Sequence, residues 1–220
     1  MPLIAGVDDA GRGPVIGPLV IAGILIRDDR IPRLRALGLR DSKLLTPAQR
    51  QKLDREIKNV VDKYAYVDLN PDEIDRVVMA RVKLRRLNLL EAQAMARVIN
   101  ELKPDVAYVD ASDILEERFG KQIKELLPFN VTIISEHNAD VKYPVVSAAS
   151  ILAKVRRDQY IAKLKETYGD IGSGYPHDEK TIRFLYNWVH QYGSLPDFVR
   201  KSWKTIRRLE AEIKGKQTRL

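Results

Sequence analysis

The chain has 220 residues and a formal net charge of +8, with 38 Lys and Arg against 30 Asp and Glu. Its hydrophobic content of 45% supports the core of a good-sized domain and excludes a wholly disordered chain. Cysteine is absent from the sequence, which excludes disulfides, thiolate zinc sites and a cysteine nucleophile. The excess of positive charge favours polyanionic partners, nucleic acid before an acidic membrane surface.

The first third of the chain predicts three strands. Residues 3–7 are apolar and end at an acidic pair, residues 15–26 form a longer apolar run, and residues 64–69 form a third. The longest run is shorter than the ~20 residues of a membrane helix and is interrupted by Gly and Pro. It also lacks the features of a secretory signal, so we expect a cytoplasmic protein that does not associate with membranes.

The middle of the chain alternates helices and strands. Thr46 and Pro47 form a helix start, which predicts a charged helix to about residue 63. Apolar residues at three- and four-residue spacing predict a second helix from about residue 84, which ends before Pro104. The elements predicted next are a strand at 106–109, a helix at 114–127 and a strand at 131–135. This alternation predicts an α/β fold.

The last third is predicted to be helical. Ser147 is the predicted N-cap of a helix to about residue 167, and Asp178 that of a helix to about residue 192. A basic tail follows Pro196, and we expect its Arg and Lys residues, Arg200 among them, to bind a nucleic-acid duplex electrostatically. The Gly-rich turn at 169–176 suggests a division into a catalytic core at 1–168 and a helical substrate-binding region at 169–220.

Four carboxylates lie at or just beyond the ends of predicted strands: Asp8, Asp9, Asp110 and Asp140. Unpaired negative charge at buried strand ends costs free energy unless a cation offsets it, which suggests a divalent metal site. Oxygen ligands favour Mg²⁺ or Mn²⁺, and a pair of such ions would support in-line displacement at a phosphodiester. Asp residues also commonly end strands and begin turns, which is the alternative explanation for each one alone.

Neighbouring residues of a strand point to opposite faces, so Asp8 and Asp9 can share a metal only if the strand bends or ends there. Gly11 and Gly13 make such a bend plausible. The spacing of the next glycine does not fit the dinucleotide-binding fingerprint, and a β-branched run follows in place of a helix. The Gly11-Arg12-Gly13 turn can still present backbone N–H groups to one phosphate; a tight turn with an exposed Arg12 is the equal alternative.

Several motifs together resemble ribonuclease HII, the type 2 ribonuclease H family, in its archaeal form. They keep the order of the family and extend over nearly the whole chain. The matching segments are GVDDAGRGP at 6–14, DSK at 41–43, YVD at 108–110, HNAD at 137–140, SAASI at 147–151, AKV at 153–155, GSGYP at 172–176 and RKSWKT at 200–205.

The resemblance implies a ribonuclease H-like fold with a central mixed five-stranded sheet flanked by helices and a helical C-terminal region. It implies hydrolysis of the RNA strand of RNA–DNA hybrids and cleavage 5′ of ribonucleotides embedded in DNA, leaving 3′-hydroxyl and 5′-phosphate ends. It also implies a monomer, and it does not reveal a sliding clamp or other replication partner.

The resemblance further implies residue roles. Asp8, Asp9, Asp110 and Asp140 would be catalytic ligands of Mg²⁺ or Mn²⁺ in a two-metal mechanism. Tyr175 would lie against the sugar beside the ribonucleotide, where the 2′-OH distinguishes RNA from DNA. The other implied nucleic-acid contacts are Gly11, Arg12, Gly13, Lys43 and Lys154. On the same helix as Lys154, we expect Arg157 to belong to a solvated basic face.

Asp9 departs from the family, which normally has Glu at this position. Its side chain is shorter by one carbon–carbon bond, about 1.5 Å, whereas metal ligands tolerate misplacement of only about 0.2 Å. The main alternative is therefore a hybrid-binding protein whose activity is impaired by Asp9. A third possibility is a two-metal nuclease of the same fold group that acts on DNA alone.

Overall fold

The computed structural model describes residues 1–39, 45–80 and 86–217, without the side chains of 86 and 214–217. Lys43, a predicted phosphate contact, lies outside these residues. By packing, the chain divides into two compact units, which we call the sheet unit and the helical unit. The sheet unit comprises the described residues of Met1–Ala10, Val20–Asp68 and Arg85–Arg156, and the helical unit those of Gly11–Leu19, Leu69–Leu84 and Arg157–Leu220. The division predicted at residue 169 follows chain order and stays a prediction.

The sheet unit contains a mixed five-stranded sheet, as predicted. Strand β1 pairs antiparallel with β2 and parallel with β4, and β4 pairs parallel with β5, in the order β3-β2-β1-β4-β5. The strands are β1 (Leu3–Ala10), β2 (Leu19–Arg27), β3 (Lys63–Leu69), β4 (Val106–Asp110) and β5 (Thr132–Glu136). In β2 every residue except Arg27 is buried, as in strands whose sheet is covered on both faces. The predicted α/β class is therefore confirmed.

Helices follow the strands through the chain. Thr46 and Gln49 form a reciprocal capping box at the start of α2, which ends at Val60, earlier than predicted, because β3 begins at Lys63. The sequence analysis did not predict α1, α3 or α6. The helices are α1 (Ile31–Ala36), α2 (Pro47–Val60), α3 (Pro71–Met79), α4 (Arg86–Leu102), α5 (Glu116–Glu125), α6 (Ala139–Lys142), α7 (Pro144–Tyr168), α8 (Glu179–Tyr192) and α9 (Lys204–Gln217).

The ends of β1 and β2 differ from the prediction. Strand β1 continues through the acidic pair, because Asp8, Asp9 and Ala10 all remain in register with β2. The expectation that the strand ends at the pair is therefore wrong. Strand β2 begins at Leu19 instead of residue 15, since Gly17 adopts a positive φ of 86° and Pro18 has no N–H to donate to a ladder.

Helix α7 also begins earlier than predicted. It starts at Pro144, so Ser147 lies buried inside the helix and is not its N-cap. The first turn packs directly on the backbone of β1: a Cβ atom added at Gly6 would lie 2.1 Å from the carbonyl carbon of Val145. Only glycine permits this approach.

The helical unit has its own apolar core. Residues from the segments around Ile16 and Phe198 pack against α8, α9 and the C-terminal part of α7. Asp178 is the N-cap of α8, as predicted, and Gly193 ends that helix with a positive φ of 75°. The tail after Pro196 forms α9, whose Ile206, Leu209 and Ile213 are buried. In the part of the chain that is described, no helix has the length and apolar character needed to cross a bilayer.

Candidate active site

The acidic residues meet at one end of the sheet unit. Parallel pairing of Val7 with Val109 places Asp8 on β1 beside Asp110 on β4. Asp110 accepts a hydrogen bond of 2.8 Å from the backbone N–H of Ala139, the residue before Asp140. Asp8 and Asp140 are buried, at 4% and 8% exposure. The sheet therefore brings Asp8 and Asp110 together from distant parts of the chain, and Asp140 directly follows the residue whose N–H binds Asp110.

Asp8 lies in an environment that disfavours its charge. Burial raises its pKa well above the usual value, and the charges of Asp9 and Asp110 raise it further. Hydrogen bonds from the Ser150 hydroxyl and the Asp9 N–H, the latter at 2.7 Å, act in the opposite direction. Negative charge at this end of the sheet is thus only partly compensated by the protein.

Asp9 follows Asp8 within the continuous strand, and strand geometry therefore directs its side chain to the other face. The hydroxyl of Ser112, just beyond β4, donates to Asp9 Oδ1 at 3.5 Å. Asp9 nevertheless raises the pKa of Asp8 through its charge, so the two carboxylates are close enough to interact.

The residues at this edge fit a divalent ion that is only partly held by protein. Among the described residues, no three His, Asp or Glu side chains are already placed to hold a metal ion. Mg²⁺ commonly takes one or two carboxylates and completes its shell with waters and substrate phosphate oxygens. Asp8 is buried beside Asp110 with too little positive charge around it, which suits that mode of binding. Oxygen donors suit Mg²⁺ or Mn²⁺ better than Zn²⁺.

Two neighbouring residues, Glu136 and His137, already have hydrogen-bond partners within the protein. Glu136 pairs with Asp110 across the strands, but Lys142 and Tyr143 hydrogen-bond its carboxylate and lower its pKa. His137 donates its backbone N–H to Glu116 at 2.6 Å, and its ring Nδ1 lies 3.1 Å from the carbonyl of Ala111. These contacts support a structural role for His137.

Helix α7 brings two functional candidates to the same face. Lys154 is half-buried and follows Ser150, the hydroxyl partner of Asp8, by four residues, so the two share one face of the helix. Arg156 points elsewhere, since it forms hydrogen bonds of 2.7 to 3.0 Å with the carboxylate of Asp68.

In the helical unit, the structure brings together two segments that were predicted to contact nucleic acid. The backbone N–H groups of Val15 and Ile16 donate to the carbonyl of Gly174 at 2.8 and 3.2 Å. A Cβ atom added at Gly13 would lie 3.8 Å from the ring of Tyr175. The Gly11-Arg12-Gly13 turn and Tyr175 therefore form one continuous surface of this unit.

Two arginines behind this surface are buried, contrary to the prediction. Arg157, expected on a solvated face, is 3% exposed, and its guanidinium lies 5.3 Å from the centre of the Tyr175 ring. Arg200, expected to grip the duplex, is 0% exposed and donates to the carbonyls of Gly11, Arg12 and Gly17. Backbone carbonyls accept the hydrogen bonds of Arg200, so its burial does not require a carboxylate. The Tyr175 ring contacts Arg157, but burial still lowers the pKa of its guanidinium.

Sequence reasoning missed Ser112, Ser150 and Trp203 as functional candidates, placed Arg157 on a solvated face and gave Arg200 a direct contact with nucleic acid. The signal that could have found Ser150, Arg157, Arg200 and Trp203 is their position in or beside the family motifs. Hydropathy could not reveal them, because it assigns Arg to the surface.

Comparisons with known proteins agree with this geometry. Residues 5–206 match the family model described as Ribonuclease HII. A Ribonuclease HII of Thermococcus kodakarensis is 47% identical over 216 residues, which cover 97% of this chain and 92% of that protein.

Two solved structures are similar in fold as well as in sequence. Ribonuclease H2 from Pyrococcus horikoshii superposes with a TM-score of 0.89 at 45% identity, covering 96% of this chain and 99% of that chain. Ribonuclease HII from Archaeoglobus fulgidus, solved in a complex with PCNA, gives 0.83 at 40% identity, covering 94% and 96%. The ribonuclease H-like fold is thus confirmed. Because the family model matches residues 5–206 and the relatives are similar over almost the full length, the chain belongs to the ribonuclease HII family and is a hydrolase of the nuclease class.

Proposed function

We propose that the protein hydrolyses the RNA strand of RNA–DNA hybrids and cuts on the 5′ side of ribonucleotides embedded in duplex DNA. The observation that carries this proposal is the buried Asp8 beside Asp110 at the end of the sheet, with its raised pKa. A buried carboxylate whose pKa is raised by a neighbouring carboxylate suits a divalent ion better than it suits a structural role. Family membership supports the choice of substrate.

In this proposal Asp8, Asp9, Asp110 and Asp140 hold Mg²⁺ or Mn²⁺. Two such ions, when bound, activate a water molecule and stabilise the leaving oxygen of the phosphodiester, which gives 3′-hydroxyl and 5′-phosphate ends. Ser150 orients the carboxylate of Asp8 through its hydrogen bond. The Ala139 N–H does the same for Asp110. These fixed contacts limit how far the carboxylates can turn when the ions bind.

The helical unit supplies substrate recognition in this proposal. The Gly11-Arg12-Gly13 turn binds backbone phosphate, and Tyr175 packs against a sugar and distinguishes RNA by the 2′-OH. The proximity of Gly13 to the Tyr175 ring supports a shared surface for phosphate and sugar. Lys154, one helical turn from Ser150, adds positive charge toward the duplex. We expect the protein to act in the cytoplasm as a monomer.

The direct test uses a labelled DNA duplex that carries one ribonucleotide. We expect a single nick on its 5′ side with Mg²⁺ or Mn²⁺ and none with EDTA, and analysis of the ends identifies the 3′-hydroxyl and 5′-phosphate. The same duplex with a deoxyribonucleotide at that position is the control. Failure to nick with either ion would contradict the proposal, and equal cutting of the all-DNA control would indicate a DNA nuclease.

A further inference from the structure

Every carbonyl of the Gly11-Arg12-Gly13 turn accepts a hydrogen bond from a single segment, residues 200–203. Arg200 donates to Gly11 at 2.7 Å and to Arg12 at 3.0 Å through its two terminal nitrogens. Trp203 donates its indole N–H to Gly13 at 3.2 Å. The turn is thus fixed at three consecutive peptide groups.

This pattern determines where the N–H groups of the turn point. The peptide bonds of the described residues, this turn included, are all trans, so each C=O is opposite the N–H of the next residue. Because the carbonyls of Gly11 and Arg12 face Arg200, the N–H groups of Arg12 and Gly13 point away from it. Two successive N–H groups directed to one side form an anion-binding concavity.

Arg200 is well suited to hold this arrangement. It is fully buried, and its Nε donates a further hydrogen bond to the carbonyl of Gly17 at 2.9 Å. The rigid planar fork of a guanidinium can hold several carbonyls in fixed directions, which the single ammonium of lysine cannot. The ring of Trp203 lies 5.0 Å from the guanidinium and fixes its plane.

We propose that Arg200 is a positioning residue which, with Trp203, orients the Gly11-Arg12-Gly13 turn so that its N–H groups bind one phosphate of the duplex. The inference rests on the proposed function for its ligand, a nucleic-acid phosphate. It replaces the expected role of Arg200 in the tail, because a side chain with no exposed surface cannot contact the duplex itself.

The test is a phosphate interference experiment in EDTA, which measures binding without cleavage. Methylphosphonate, which lacks the anionic oxygen, is placed at each phosphate around the ribonucleotide in turn. For the wild type we expect one position at which this change weakens binding about tenfold, the size of one charge-assisted contact. In Arg200→Lys and Trp203→Phe we expect the penalty at that position to fall to about threefold or less, because the turn is no longer fixed.

The matched control is Ser202→Ala. Ser202 lies between the two positioning residues in the sequence, is buried, and donates its hydroxyl to Asp75. We expect this variant to lose stability but to keep the full tenfold penalty. Melting temperatures of all variants show whether each is folded, and Trp203→Phe, which removes only one N–H donor, keeps the test available if Arg200→Lys does not fold.

The outcomes separate the two proposals. A wild type that nicks the ribonucleotide duplex, together with Arg200→Lys and Trp203→Phe variants that keep the full penalty, would overturn the positioning role alone. A penalty lost equally in Ser202→Ala would also overturn it, since general loosening of the segment would then explain the effect. A wild type that does not nick the duplex would contradict the proposed function instead.

Discussion

Asp8 of the sheet unit and Arg200 of the helical unit are both buried charged side chains, and they are stabilised in different ways. At the end of the sheet, Asp8 is buried among other carboxylates and its pKa is raised, so the protein alone does not compensate the charge. In the helical unit, Arg200 is buried more completely, but backbone carbonyls accept its hydrogen bonds. The comparison shows that burial alone does not identify a catalytic group. A carboxylate left short of positive charge is prepared for a cation, whereas a satisfied guanidinium organises the backbone around it.

Asp8→Asn is expected to produce the largest effect and to separate chemistry from binding. Removing this charge weakens a metal site that contributes several kcal/mol to the transition state, so we expect the single-turnover cleavage rate to fall at least about 1000-fold. The Kd for the duplex, measured in EDTA, should change by about twofold or less, because the turn and Tyr175 are untouched. A severe loss of binding would contradict the separation of the two surfaces.

Gly11→Ala should show the converse behaviour. Gly11 has a φ of 92°, and an added Cβ would lie 2.5 Å from the Arg157 side chain. We expect the Kd for the duplex to rise about tenfold, the size of one phosphate contact, with a smaller change in the rate at saturating enzyme.

The control for this prediction is Gly38→Ala, because Gly38 has a positive φ of 66° and no atom of the described residues lies within 4 Å of the added Cβ. This variant should lose about 1 kcal/mol of stability from backbone strain and keep its affinity. Equal loss of affinity in both glycine variants would show that strain, and not the shape of the turn, is responsible.

The stability of the metal-free protein at different pH values tests whether the fold compensates the negative charge of Asp8. Because its pKa is raised in the folded state, the folded protein holds the proton more tightly than the unfolded chain. The wild type therefore loses stability as the pH rises from about 3.9, the unfolded value, through the raised folded value. Asp8→Asn lacks this loss, so at pH 7 it should be more stable by at least about 1 kcal/mol, and the gain should vanish near pH 3.

Chemical denaturation in EDTA at the two pH values provides this measurement. Adding Mg²⁺ should then stabilise the wild type more than the variant, since only the wild type gains a partner for the charge. A variant that is less stable than the wild type at pH 7 would show that the carboxylate is well compensated in the fold.

Asp9→Glu is expected to have the smallest effect. Strand pairing of Asp9 with Ile21 fixes the backbone at this position, so the longer side chain must find its place against Ser112. We expect the cleavage rate to change by about threefold or less, which is under 1 kcal/mol. A much larger gain would show that Asp9 impairs the wild type and would support the alternative of a hybrid-binding protein.

The sequence predicted those parts of the fold that depend on local pattern. Alternating apolar strands and helices predicted the α/β class, and Asp178 and Thr46 marked the helix starts where their side chains cap the backbone. The end of β1 was predicted wrongly, because pairing with β2 extends the strand past Asp8 and Asp9 despite their polarity. Tertiary pairing overrode local preference there.

The acids of the candidate site were found because strand ends in a sheet converge, which holds for Asp110 at the end of β4. Asp8 lies inside β1 and comes beside Asp110 through the parallel pairing of the two strands. The burial of Arg157 and Arg200 could not be predicted in the same way. It depends on a ring and on carbonyl oxygens brought in from distant segments, as the contact of Arg200 with Gly11 shows across 189 positions. Hydropathy predicts that such a residue is exposed to solvent, because its backbone hydrogen-bond acceptors are known only from the folded structure.

Gly6 has no functional group, yet it controls the spacing on which the acidic pocket depends. The first turn of α7 can lie against β1 only because this residue lacks a side chain. The same helix carries Ser150, whose hydroxyl reaches Asp8 two positions further along the strand. A single methyl group at residue 6 would push the helix outward and lengthen the contact between Ser150 and Asp8. The environment of this acid therefore depends on how closely the helix can approach the strand.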